Sequence, residues 1–218
     1  LEASLRHLQT EVIDLYWLHR DDPERPVAQI LDTLNRQVEA GKIRYFGCSN
    51  WRLSRIQEAQ SYAAQHDIRG FCANQMQWSL AKPNPDAIAD PTMAIMDHSL
   101  YLYHLETGLA AIPYSSQANG FFQKIDQAPA AQLGQNIRAR YNTRQNQRRY
   151  DRIRELAAKT GLSTTQIVLA YLHSQPFPTV PIVGCRSLEQ LEDSLSAADV
   201  QLNSEQIAFL TRDANSLL

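Results

Sequence analysis

Short apolar runs that end abruptly in polar residues recur along the chain. They are DLYWLHRDDP (14–23), GKIRYFGCSNW (41–51), ANQMQWSL (73–80), AIPYSSQ (111–117) and VPIVGCRSLEQ (180–190). Most precede a stretch with apolar residues at helical spacing. The pattern predicts a helix over Leu1–Leu8, with Leu1, Leu5 and Leu8 on one face, and a buried strand over Val12–His19. Pro26 opens a helix that runs to about Ala40, since proline suits the first helical turn, and Gly41 ends it. A strand over Arg44–Ser49, a helix over Leu53–His66 and a strand over Phe71–Gln75 follow. Asp90 as cap, Pro91 in the first turn and Gly108 after the end then delimit a helix. Leu109–Tyr114 reads as a further strand.

Residues 119–149, rich in Gln, Asn and Arg, read as a loop with some helix. Ser163–Gln166 is a capping box that starts a helix through Ser174. Pro176, Phe177 and Pro178 form a turn into a strand over Thr179–Val183. Ser187–Gln190 is a second capping box, and Asn203 starts the last helix. Strands alternating with helices predict an α/β fold with a parallel sheet and helices outside. Polar groups gathered at the carboxyl ends of strands are how a (β/α)8 TIM barrel presents its chemistry. About five such units are visible against the eight of a closed barrel. The expectation is therefore a single barrel domain over 1–218 that lacks its first three units. Leu1 in place of Met, and an opening that reads as the end of a helix, point the same way.

The charge balance of −2, with 20% charged residues, gives no bias toward nucleic acid or anionic membranes. Cys48, Cys72 and Cys185 are odd in number and far apart, so neither a disulfide framework nor a zinc knuckle is supported, and no metal is expected. A reducing cytoplasm is the default. No apolar run reaches the roughly 18 residues of a membrane span.

His19 ends an apolar strand. It is either a core histidine satisfied by a neighbour or a hydrogen-bonding group at a barrel mouth, where a neutral imidazole can donate to a carbonyl oxygen. The Arg20-Asp21-Asp22-Pro23 run beside it reads as a functional rim or a plain polar loop. Ser49 and Asn50 serve as a helix cap, as recognition of a planar amide, or as both. Gln75, at the next strand end, can meet the same amide. Tyr114 either packs a core or stacks on a flat ring, and Trp51 is a candidate apolar substrate wall, as is the 119–149 stretch. Gly184, Cys185, Arg186 and Ser187, with Gln190, sit where a strand meets a helix amino terminus. That is a place for an anion, and Arg186 adds a cation suited to phosphate. A solvated arginine beside a capping box is the ordinary alternative.

Together these segments, in this order and spacing, resemble the aldo-keto reductase family over nearly the whole chain. AIPYSSQANGFF is most similar to bacterial-type members. The resemblance implies a barrel that binds NADPH, less often NADH, and reduces aldehyde or ketone carbonyls to alcohols by direct hydride transfer. It implies that His19 orients the substrate carbonyl, and that Ser49, Asn50 and Gln75 hold the nicotinamide carboxamide. Tyr114 stacks on the nicotinamide ring, and Ser115, Ser116 and Gln117 lie along the pyrophosphate. Gly184, Arg186, Gln190 and Asp193 serve the 2′-phosphate and adenine, although many members have Asn where Asp193 stands. The implied partner is a small-molecule carbonyl substrate. An open pocket is expected, since the chain ends at Leu218 soon after its last helix.

The resemblance also implies a proton-donating tyrosine, supported by a lysine and an aspartate, ahead of the histidine. No lysine precedes His19, and Tyr16 lies inside the strand. About 100 further residues, three βα units of roughly 30 each, are expected upstream to supply them. Without them the 218 residues are expected to be poorly stable and inactive. The alternative reading is a nucleotide-binding regulatory protein with a reductase-like fold and little turnover.

Overall fold

The computed structural model describes residues 1–212, so the expectation about the chain's end falls outside the described residues. The contacts divide into two compact units: Leu1–Met76 with Thr92–Ala94, and Gln77–Pro91 with the chain from Ile95 onward.

The first unit runs α1 (Glu2–Leu8), β1 (Ile13–Leu18), α2 (Val27–Glu39), β2 (Ile43–Ser49), α3 (Leu53–Gln65) and β3 (Ala73–Gln75). The strands are parallel, with Leu18 beside Cys48, Cys48 beside Asn74 and Ser49 beside Gln75. Helix α2 buries Val27, Leu31, Leu34 and Asn35, one stripe at helical spacing. The amide in that stripe is matched by backbone: Asn35 Nδ2 donates to the Leu31 and Arg69 carbonyls, and Oδ1 accepts from Arg69 N–H. Gln60 on α3 does the same for Phe71, donating to its carbonyl at 3.0 Å and accepting from its N–H at 2.8 Å. Two side-chain amides thus fix the approach to β3. It is shorter than the expected Phe71–Gln75: both backbone groups of Phe71 bond to Gln60, while Cys72 N–H still donates to the Phe46 carbonyl of β2 at 3.0 Å. At Gly47 in β2, any Cβ would overlap the Trp17 ring and stand 2.9 Å from the Ala73 carbonyl. Only glycine lets β1 and β3 approach β2 this closely.

The second unit holds α4 (His98–Thr107), β4 (Ala110–Ala111), α5 (Phe121–Gln127), α6 (Gln135–Tyr141), α7 (Arg144–Thr160), α8 (Thr164–His173), α9 (Leu188–Leu195) and α10 (Ser204–Thr211). Trp78, Tyr101, Tyr171, Phe177 and the His104 ring form one aromatic cluster. His104 is fully buried and its Nδ1 lies 2.6 Å from the Leu109 carbonyl, which holds the turn after α4. Leu188, Leu191 and Leu195 stand exposed on one face of α9, at 69%, 39% and 60%.

Several elements differ from the sequence expectation. The helix before Gly108 starts at His98, capped by the Asp97 carboxylate accepting from Leu100 N–H at 2.8 Å, not at Asp90. The reason is that Ala94 and Met96 give their N–H groups elsewhere, to Asn50 Oδ1 and the Gln77 carbonyl. Residues 119–149 are largely helical. The buried side of α7 includes Asn146 and Arg149 beside Ile153 and Leu156, so the apolar periodicity is interrupted by polar residues. Asn146 Nδ2 donates to the Lys82 and Tyr141 carbonyls and Oδ1 accepts from Lys82 N–H, while Arg149 Nη1 donates to the Leu80 carbonyl. The strand expected over Leu109–Tyr114 reduces to β4. Beyond β4, Tyr114 pairs with Gln77 as an isolated bridge, and Ala111 of β4 itself bridges Thr179. The Thr179–Val183 stretch forms no regular strand but keeps backbone bonds, Val180 N–H to Ala111 O and Ile182 N–H to Pro113 O, both 2.9 Å. Capping boxes are complete at Ser163 and Asn203. At Ser187 the box is half formed, because Gln190 Oε1 accepts from Arg186 N–H instead.

Candidate active site

The parallel register of the first unit aligns the candidate polar residues. Leu18 pairs with Cys48 and Ser49 with Gln75, so His19, Ser49 and Gln75 fall on one row at the carboxyl ends of three strands. The His19 side chain is exposed, and its ring has no hydrogen bond among the described residues. Ser49 is fully buried; its hydroxyl donates to Gln75 Oε1 at 3.3 Å and accepts from Asn50 Nδ2 at 3.0 Å. Asn50 adopts φ +60°, a conformation that asparagine tolerates better than most residues. There its N–H reaches the Gln75 carbonyl at 3.1 Å, its Nδ2 reaches the His19 carbonyl at 3.3 Å, and its Oδ1 takes Ala94 N–H at 3.1 Å. Hydroxyl and amide groups are thus concentrated beside an accessible imidazole.

The loop that carries His19 is tied down by a residue the sequence reading missed. Arg55 donates Nε and Nη2 to the two Asp21 carboxylate oxygens at 3.0 and 3.1 Å. Nη2 also reaches the Asp22 and Arg25 carbonyls. Its guanidinium lies 5.3 Å from the centre of the Trp51 ring. The bond to Asp21 holds the Arg55 pKa above its ordinary value. The Asp21 side of the rim is therefore a structural clamp. Arg55 gave no signal in sequence beyond a lone cation in the first turn of a helix.

Trp51 corrects an expectation. It is 1% exposed and packs edge-on against Phe71, with ring centres 4.9 Å apart. A substrate wall must face solvent or ligand, whereas this ring is in the core of its unit. Cys48 is buried as well, and burial pushes its thiol pKa far up, which removes it as a nucleophile at neutral pH.

In the second unit the structure brings the remaining candidates together in two strips. Tyr114 is half-buried at its bridge to Gln77. Ser115, Ala118 and Asn119 take φ of +52°, +50° and +56°, so the loop after Tyr114 is tightly coiled. Ser116, 1% exposed, donates its hydroxyl to the Ile182 carbonyl. Gln117 Nε2 donates to Ser194 Oγ at 3.2 Å, and Gln123, another residue missed from sequence, donates to Gln117 Oε1 at 2.9 Å. These bonds place 114–117 alongside the 182–194 strip. Gly184, Arg186 and Gln190 are exposed at the amino end of α9. Asp193 is engaged through Ser163, whose hydroxyl donates to Oδ1 at 3.1 Å.

A model of the aldo/keto reductase family matches residues 1–212. The chain belongs to the aldo/keto reductase family. Among curated proteins it is similar to the uncharacterized oxidoreductase YrpG of Bacillus subtilis (strain 168), 27% identical over 211 residues. That alignment covers 96% of this chain and 61% of the relative. Among solved structures it is similar to the thermostable aldo-keto reductase Tm1743, crystallised with the inhibitor epalrestat, with a TM-score of 0.68 and 23% identity. That match covers 96% of this chain and 63% of the other, and it shows the fold. The chain thus spans about three fifths of the length of these aldo/keto reductase relatives. No helix among the described residues is long and apolar enough to cross a membrane.

Proposed function

We propose that this aldo/keto reductase chain binds NADP(H) and takes part in reducing aldehyde or ketone carbonyls to alcohols. The observation that carries the reading is the row of His19, Ser49 and Gln75, with Asn50 beside it, at the ends of three parallel strands. Its residue types suit the group: Asn50 and Gln75 carry carboxamides that can meet a planar amide, with the buried Ser49 hydroxyl bonded to both of them, and Arg186 at the start of α9 suits a phosphate. When bound, a reduced nicotinamide supplies the hydride. The chain's own groups do the rest of what these residues can do. The His19 N–H donates to the substrate carbonyl oxygen and orients it. Ser49, Asn50 and Gln75 hold the carboxamide, and the Tyr114 ring offers a flat face. Ser115, Ser116 and Gln117 border the pyrophosphate. Gly184, Arg186, Gln190 and Asp193 serve the 2′-phosphate and adenine. Trp51 supports this site by packing.

A second reading is nucleotide binding with little turnover. The two differ in whether an acid supplies the proton, and general acid catalysis of this type contributes roughly 10²–10⁴-fold. We place the protein in the cytoplasm, with a small-molecule carbonyl substrate as its partner.

The test is a fluorescence titration with NADPH and NADH, followed by aldehyde-dependent oxidation of the bound nucleotide. Saturable NADPH binding that Arg186→Ala weakens far more than NADH binding supports the reading. Turnover then separates enzyme from binder. Absence of binding for both nucleotides refutes it, and equal losses in Arg186→Ala remove the phosphate assignment.

A further inference from the structure

We infer that Thr92, Met93 and Ala94 form one wall of the carbonyl-substrate site at the His19 strand end. Through Met93 they select substrates by the size of their apolar group. The inference rests on the reading of His19 given above. These three residues pack with the first unit, although the residues on both sides of them belong to the second. Two bonds hold them there. Arg20 Nε donates to Thr92 Oγ1 at 3.1 Å, and Ala94 N–H donates to Asn50 Oδ1 at 3.1 Å. The same two side chains also grip the His19 backbone: Arg20 Nη1 at 2.9 Å and Asn50 Nδ2 at 3.3 Å both donate to its carbonyl. The position of the segment relative to His19 is therefore set by shared anchors.

The chemistry of the wall follows. Met93 and Ala94 are half-buried, so apolar surface is presented without being sealed into a core. In the neighbouring rim the Asp21 carboxylate is forked by Arg55, and the Arg20 guanidinium is turned to Thr92 and the His19 carbonyl. Between two anchored neighbours, Met93 supplies an unbranched thioether side chain that adapts to ligands of different shape.

The chain has three methionines, Met76, Met93 and Met96, which makes the test direct. The protein, labelled with [13C-methyl]methionine, is titrated with acetophenone, whose ring shifts nearby methyl signals. Met76 is fully buried and serves as an internal control. The His19 ring signal, assigned with His19→Gln, is followed in parallel. The expected result is that Met93 and His19 move together with one dissociation constant while Met76 stays fixed. Met93→Trp should then weaken acetophenone binding at least tenfold and acetone binding less than twofold. Movement of His19 with Met93 unmoved overturns the wall and leaves the His19 site standing. Movement of neither overturns both. Equal weakening of both ketones by Met93→Trp also overturns size selection.

Discussion

Replacing Arg55 tests how the His19 loop is held. The guanidinium makes a two-pronged bond to Asp21 and reaches two backbone carbonyls, at Asp22 and Arg25. The pair is shielded but not sealed, with side-chain exposures of 16% and 12%. Breaking a fully buried pair costs about 3–5 kcal/mol, while an exposed pair is worth about 0–1 kcal/mol. This one lies nearer the buried limit, and losing its contact with the Trp51 ring adds to the loss. Arg55→Ala should therefore destabilise by about 2–3 kcal/mol. Arg55→Lys keeps the charge but loses the fork, and should cost about 1–2 kcal/mol. The assay is urea unfolding followed by tryptophan fluorescence in a Trp78→Phe background, where Trp17 and Trp51 remain and both belong to the first unit. Asp21→Ala and the double variant close a thermodynamic cycle, in which the coupling should exceed about 1 kcal/mol. Because the pair is shielded, 0.5 M salt should change the coupling little. A coupling below about 0.3 kcal/mol, within the scatter of independent sites, would refute the clamp.

Three further outcomes are expected. Gly47→Ala forces a Cβ into the Trp17 ring and against the Ala73 carbonyl; it should cost about 1–3 kcal/mol, as overpacking does, measured by thermal melting against a Gly184→Ala control, where the Cβ meets nothing and φ is not positive. Burial holds the His104 imidazole pKa below its ordinary 6.5, with the Leu109 hydrogen bond opposing. The unfolded chain therefore binds the proton more readily. Stability should be level above about pH 6.5 and fall as pH drops below it, by at most about 1.4 kcal/mol per pH unit; a His104→Gln variant that keeps the same slope would assign it to other groups. Ser163→Ala removes a complete capping box and the bond to Asp193; it should lower stability by about 1 kcal/mol, and a loss below about 0.3 kcal/mol would show the cap is dispensable.

Much of the first unit was legible because its strands and helices obey the simple periods. Val27, Leu31 and Leu34 mark the buried face of α2, and the strand ends are marked by His19, Ser49 and Gln75. The second unit was harder, since its helices bury polar residues whose partners are backbone groups far along the chain. Asn146 and Arg149 interrupt the apolar stripe of α7 while bonding to Leu80 and Lys82. No local pattern announces such a pairing. The false start at Asp90 has a similar cause: Asp90-Pro91 has the chemistry of a helix opening, but the following N–H groups are captured by Asn50 and Gln77. Trp51 was misplaced because position beside Ser49-Asn50 does not say which way a ring turns. Of the candidate site, the residue types and the strand ends were readable. The Arg55 fork and the docking of Thr92–Ala94 arise only when the chain has folded.

The leucine stripe on α9 has a consequence for how the protein behaves in a tube. Contact between such stripes is driven mainly by release of water at room temperature, and that drive fades on cooling. Clustering through Leu188, Leu191 and Leu195 would grow as a sample warms and relax on ice. Sulfate would favour it, and urea would oppose it. Storage temperature and buffer anion then become variables that set particle size before any ligand is added.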